Sequence, residues 1–302
     1  MASYRLRAED VTHIRKVATD YRERAPGYRS YLPIETIPSA YISKWYTLTN
    51  PTGPALSREG KDTVTVAVSR TEDESKIVYM RSDISIPYTE AASAQRAGVP
   101  IMADNVQRQL ANTHNKIGQM CFTGLDQPYI INGMTEDGTD LGGALDGILV
   151  GTAGEFIDHA AEWWDHMQTY HYKGPFTWII STGLSGFMKL PYLDLRSQES
   201  FIQEAFNCSI HYETAIATAS FDASPDANPI YQWEYTADDG IWIVADTKVE
   251  HMALQETGPP SVYINPELDR DTNSYRGFVM WQGTWRTTNN TAIGYMEDVD
   301  EV

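Results

Sequence analysis

Two cysteines among 302 residues leave no disulfide scaffold to build on. Cys121 and Cys208 lie outside any C-x-x-C spacing, which removes the zinc-ribbon and thioredoxin-type readings. They read instead as buried small hydrophobes in a reducing compartment. No run of eighteen apolar residues occurs, so no membrane-spanning helix is expected. The opening residues, Met-Ala-Ser-Tyr-Arg-Leu-Arg, lead into no apolar signal-peptide segment, and no such peptide is expected. Bases are also in short supply, 23 against 41 acids, for a net charge of −18. A nucleic-acid groove needs clustered lysine and arginine, so the charge of the chain as a whole argues against one. Lysine is the scarcer base, 8 residues against 15 arginines. With its acids spread rather than blocked, the chain fits a halophilic protein kept soluble by carboxylates, and an ordinary acidic protein equally well.

What is present can build a large core. The chain is 42% hydrophobic and 11% aromatic, and its length calls for one large domain or two intimately joined ones. The charge is uneven. Residues 1–31 hold seven bases against four acids, a net of +3, so the remainder carries −21.

Helical periodicity is clearest at two places. In the segment 84–124 an apolar strand ends at Pro87, a Gly-Val-Pro break follows, and a long amphipathic helix closes on Gly124. Val106, Leu110, Ile117 and Cys121 share one side of that helix, and Gln107, Arg108, Gln109, Asn112, Asn115 and Lys116 share the other. Over 154–172, Phe156, Ala160, Trp163 and Met167 line an apolar face. Glu155, His159, Glu162 and His166 make a carboxylate–imidazole stripe on the opposite, solvated face. The stripe lacks HExxH or ExxH spacing, so no metal is assigned to it. A first helix is expected over 9–23, on Val11, Ile14, Ala18 and Tyr21, followed by an extended tether anchored by Tyr28, Tyr31 and Leu32.

Strand patterns fall at 39–49, 62–69 and 76–86, with the polar run 70–75 read as a turn. The first two, joined by a loop rich in proline and glycine, read as a projecting arm or a plain surface hairpin. Later strands are expected at 176–181, through Ile210 and Ile216, over 240–254 as one apolar run, and over 278–283. The Gly- and Asp-rich stretch 132–147 lacks calcium-loop spacing and reads as an exposed loop. Gly183-Leu184-Ser185-Gly186 is not a nucleophile elbow. No catalytic residue, cofactor or metal is assigned.

The order of these segments, through "VPIMADNVQRQLANTHNKIGQMCFTG", "KGPFTWIISTGLSGFM", "GIWIVADTKVEHMAL" and a final "AIGYM", resembles the major capsid proteins of tailed phages and archaeal tailed viruses. These share the Hong Kong 97-type fold with the encapsulin shell proteins. The resemblance implies an α+β fold. It has an N-terminal helix and arm over 1–36 and an extended hairpin over 37–83. A peripheral domain with a spine helix takes 84–129 and 247–302, and an apical domain takes 130–246. It further implies a self-assembling icosahedral shell of pentamers and hexamers, not an enzyme, with portal and scaffold or minor capsid proteins as partners and no membrane. A chain starting at Met1 without a long helical leader would be a member lacking a fused scaffolding segment.

Within that resemblance the basic N-terminal segment (Arg5, Arg7, Arg15, Lys16) is the expected non-specific contact with packaged double-stranded DNA. Some family members tie neighbours by an isopeptide bond between an arm lysine and a C-terminal-region asparagine. Lys61, Asn289 and Asn290 are the candidates for such a tie. The spine face Val106, Leu110, Ile117 and Cys121 is expected to pack on the C-terminal strands. Two other readings stay open: an encapsulin-type shell around enzyme cargo, favoured by the helix at 9–23, and an acidic, aromatic-rich hydrolase or carbohydrate-binding protein.

Overall fold

Apolar residues at helical spacing make Ala8–Glu23 the first helix, α1, with Ile14 fully buried beneath it. In this computed structural model the described residues are 6–23, 27–38, 42–48, 70–98, 104–125, 131–142, 154–192, 196–213, 216 and 240–299. The tether after α1 is not simply extended: Tyr28–Tyr31 form one helical turn, α2, before strand β1 at Ile34–Thr36. Tyr28 and Leu32 are buried, and Tyr31 packs beside them.

The hairpin pairs differently from expectation. Strand β2 (Ile42–Leu48) runs antiparallel to β3 (Arg70–Lys76), so the polar run read as a turn is a strand. Backbone pairing outweighs the weak β-propensity of Glu and Asp where side chains face water, as the exposed Lys44–Glu74 pair at 3.4 Å does. The pattern at 62–69 lies outside the described residues. The base of the hairpin is tied down by Ser75 Oγ, 2.7 Å from Thr284 Oγ1, and by the Ser43 hydroxyl, which donates to Gln255.

Strand β4 (Val78–Pro87) leads through α3 (Tyr88–Ala97) to the long helix α4 (Asp104–Phe122). Gly124 ends this stretch with φ +79°, and a Cβ there would sit 2.5 Å from the Ile131 carbonyl oxygen, so only glycine fits. The supposed loop that follows is partly internal. Helix α5 (Met134–Asp137) buries Met134, and β5 (Thr139–Asp140) joins a sheet.

Helix α6 (Glu155–Thr169) buries Phe156, Ala160, Trp163 and Met167 against β6 (Phe176–Ser181), whose six residues are all buried. The short α7 (Ser185–Met188) and α8 (Gln198–Phe206) precede β7 (Cys208–Glu213). Ile216, expected within that strand, is a buried turn residue.

The expected single strand at 240–254 is two strands in two sheets. Gly240–Ala245 form β8 and Met252–Glu256 form β9, and the polar segment 246–251 carries the chain across. Strands β10 (Ser261–Asp269), β11 (Ser274–Thr287) and β12 (Ile293–Val299) complete the fold. The first sheet has the order β1-β9-β11-β10, with β4 also on β11, and the second has the order β5-β12-β8-β6-β7. Strand pairing crosses two of the expected boundaries. Residues 78–83, assigned to the arm, pair with β11, and β12, assigned with 247–302, pairs with β8.

The apolar side of α4 meets two cores. Val106 and Leu110 pack with Ile84, Ile86, Tyr275 and Val279, while Ile117 and Cys121 pack with Trp281 and Trp285. Each such fully buried aliphatic side chain stabilises the fold by about 1.5–3 kcal/mol relative to exposure. The second of these cores also takes Ile179, Ile243 and Ala245 from the other sheet, so it is the seam between the two.

Candidate functional site

The short tether around α2 crosses that seam and makes polar contacts to both sheets and to α4. Arg29 lies against Glu256 of β9 in a two-pronged ion pair, with Nη1–Oε2 at 3.0 Å and a second, shorter contact from Nη2 to Oε1. Glu256 is buried, and its Oε2 also accepts the indole N–H of Trp281 at 2.8 Å. A planar guanidinium suits this role because it meets a carboxylate with two parallel hydrogen bonds. The Tyr28 hydroxyl lies 2.9 Å from Nδ1 of His114 on α4. Tyr31 donates to Glu213 Oε1 of β7 at 2.8 Å and stacks on His211 with ring centroids 4.2 Å apart. Three residues of α2 thus fasten α4, β9 and β7 together.

Burial sets the protonation of this clasp. His114 is driven down to about 4, chiefly by desolvation and further by the nearby Arg29 charge, so its imidazole is neutral. His211 is lowered by burial as well. Glu213 is pushed up by desolvation, against the hydrogen bond from Tyr31. Burial likewise raises the phenols of Tyr28 and Tyr31 and the thiol of Cys121, so none of the three ionises near neutral pH.

The two faces of the first sheet differ. Helices α1 and α4 cover one, where Ile84, Ile86 and Val279 point inward. The other presents Tyr79 and Tyr263, about half exposed, with Tyr263 stacked on Phe278 and the Arg81 guanidinium 4.4 Å from the Phe278 ring centroid. Exposed aromatics gathered on one side are the usual mark of a protein contact.

No family model and no curated protein matches this sequence. Solved structures do match. The virus-like particle from Pyrococcus furiosus aligns with 94% of this chain and 98% of its own at a TM-score of 0.61 and 10% identity. The fold is that of a capsid shell protein. The capsid of Myoviridae phage XM1 aligns over 90% of each chain at a TM-score of 0.59 and 11% identity. The capsid of the native GTA particle aligns over 89% of each at 0.61 and 9%. The mixed α+β, Hong Kong 97-type capsid fold expected from segment order is therefore the fold observed.

In this capsid fold the residues singled out from sequence fall in separate places. Arg5 and Lys61 lie outside the described residues. Arg7 is turned back onto Asp10 by two hydrogen bonds of 2.9 and 3.0 Å, whereas Arg15 and Lys16 are exposed on α1. Asn290 is exposed, and half-buried Asn289 accepts the Thr291 hydroxyl at 3.0 Å. The stripe on α6 is not the solvated face expected. His159 is fully buried and accepts the Trp242 indole N–H at 3.2 Å, and half-buried His166 lies 3.0 Å from the Thr291 carbonyl oxygen. The helical step explains the difference, because His159 lies three residues from Phe156 and four from Trp163, on the margin of the apolar face. The clasp residues Arg29, His114, Glu213 and Glu256 carry no local sequence signal, since their partners lie as far as 227 positions away.

Proposed function

We propose that this chain is a major capsid protein, one subunit of a self-assembling icosahedral shell that encloses the double-stranded DNA of a tailed virus. The observation that carries the reading is the end-to-end agreement of the fold with capsid and virus-like-particle structures, over nearly all of this chain and of theirs. The aromatic face around Tyr79 and Tyr263 and the hairpin β2–β3 supply surfaces for neighbouring copies. In this reading the subunit works mechanically rather than catalytically, forms pentamers and hexamers, and acts in the virion after assembly in the host cytoplasm. Portal and scaffold or minor capsid proteins would be its other partners.

The test is size-exclusion chromatography and negative-stain microscopy of the purified chain across a range of salt. Closed particles are expected, and a monomer that persists at every salt would end the shell reading. A cellular compartment around enzyme cargo was favoured by an amphipathic α1, but Ile14, at the centre of its apolar stripe, is covered by the chain's own core. Genome rather than enzyme inside purified particles separates the two readings. For the covalent tie, particles would run as a ladder on a denaturing gel, and Lys61→Arg would abolish it.

A further inference from the structure

The hairpin β2–β3 is seated on the first sheet by polar side chains that stand in register. Ser43 and Ser75 face each other across the hairpin. Gln255 of β9 and Thr284 of β11 face each other across the sheet. The Ser43 hydroxyl donates to the Gln255 side-chain oxygen, and the Ser75 hydroxyl oxygen lies 2.7 Å from that of Thr284. One paired row therefore rests on the other. On its other side β9 pairs with β1, at the end of the tether, where Glu35 is the register partner of Gln255. The Gln255 amide donates to Glu35 Oε2 at 2.7 Å, and the Arg286 guanidinium stands 3.5 Å from the same oxygen. Gln255 thus has its carbonyl on the hairpin and its amide N–H on the tether. Gln255, Thr284 and Ser75 are buried, and Glu35 is half-buried.

We infer that Gln255 couples the N-terminal tether to the hairpin. With Glu35 in place the glutamine is held ready to receive Ser43, and with the tether lifted the hairpin loses one of these two bonds to the sheet. Fixing a glutamine side chain costs rotamer entropy, so an anchor at one end lowers the cost of ordering the other. Hydrogen bonds joined in a chain also strengthen one another. A two-stranded hairpin is marginal by itself, and its order depends on what it rests on. Hydroxyl and amide contacts can be handed to water and remade, which suits a seat that is taken and released. In the shell reading, on which this last step rests, the arm is aimed at a neighbouring copy only once the subunit's own tether is docked.

The test is amide hydrogen exchange of the unassembled full chain, read by mass spectrometry on peptides covering 42–48 and 70–76. Ser43→Ala should speed exchange of both strands about fivefold, the loss of one net hydrogen bond. Glu35→Ala removes no direct contact to the hairpin, yet it should speed both strands severalfold. Glu35→Gln keeps a carbonyl acceptor for the Gln255 amide and should restore most of the protection. Glu35→Ala added to Ser43→Ala should cost the hairpin no more than Ser43→Ala alone. Faster exchange confined to 34–36, losses that multiply in the double variant, or equal loosening of 176–181 in the aromatic core overturns the inference. So does Glu35→Gln exchanging as fast as Glu35→Ala, because charge facing Arg286 is then what matters. Glu35→Ala should also lower the yield of closed particles severalfold, and a normal yield overturns the step that aims the arm. Absence of shells from the unaltered chain, with the Glu35 effect on exchange intact, sinks the shell reading while the coupling stands.

Discussion

The two sheets are held by different chemistry. The second sheet is closed by rings: Trp163 lies between Trp164, Phe176, Trp178 and Phe206 with centroids 5.7–6.0 Å apart, and Trp178 meets Trp242 edge-on at 5.8 Å. The first sheet meets the second at a seam where charge is buried, with Arg29 on Glu256 and Tyr31 on Glu213. Ring packing is tolerant of direction and accumulates with area. A buried ion pair adds little net stability but penalises every arrangement that separates its partners. The difference teaches a division of labour, in which the aromatic core supplies bulk stability and the clasp specifies how the N-terminal tether joins the sheets.

Truncation inside the aromatic core should have the largest effect. Trp163→Ala removes a fully buried indole packed against four rings and should cost about 3–5 kcal/mol in denaturant unfolding. A loss below 1 kcal/mol would mean that the second sheet does not depend on its rings. Arg29→Met comes next, at about 3 kcal/mol, because it strands the Glu256 carboxylate in a dry site beside Trp281. The pair Arg29→Met with Glu256→Gln should recover most of that loss. Equal costs for the single and double variants would show that the charge is not what the clasp depends on.

Acid should act on the seam before the aromatic core. His114 titrates near 4 in the folded chain against 6.5 when free, so the unfolded chain binds more protons between those values. Stability should therefore be full above pH 6.5 and fall as pH drops toward 4, by up to about 3 kcal/mol from this residue, with lowered His211 acting in the same direction. His114→Gln should flatten the profile of unfolding free energy against pH. A profile unchanged by that substitution would remove His114 as its source.

The aromatic core was legible from sequence because its signals are local. Phe156, Ala160, Trp163 and Met167 repeat at helical spacing, and 176–181 is a short apolar run between turn signals. The same holds for Val106, Leu110, Ile117 and Cys121 on α4. The clasp was not legible, because its partners come from four distant segments and each residue type is ordinary where it stands. Tyr28, Tyr31 and Leu32 could be marked as anchors, but nothing in the sequence points from Arg29 to Glu256. Strand assignments failed where tertiary pairing overrode composition. Residues 70–75 are too polar to look like a strand, and 240–254 is too apolar to show the crossing at Asp246. The outward side of α4 was visible as polar residues at helical spacing.

The smallest expected effect is the most discriminating between the two chemistries. Tyr31 does two things at once, stacking on His211 and donating to Glu213, and Tyr31→Phe keeps the ring while removing the donor. A net hydrogen bond to a charged group is worth about 1.5–3 kcal/mol, and half-buried Tyr31 should fall at the low end. Glu213 is a carboxylate whose folded pKa already stands above its free value, so its buried charge opposes folding at neutral pH. That cost disappears as pH falls through the folded pKa and the group becomes neutral. Loss of the Tyr31 donor raises the folded pKa further and enlarges the neutral-pH cost. The gap between Tyr31→Phe and the unaltered chain should therefore be widest near neutral pH and narrow on acidification, measured by urea unfolding at about pH 7.5 and about pH 5. If the gap is the same at both values, Glu213 is not charged in the seam. If there is no gap at all, ring stacking alone holds this end of the clasp, and the seam is closer in kind to the aromatic core than its polar residues indicate.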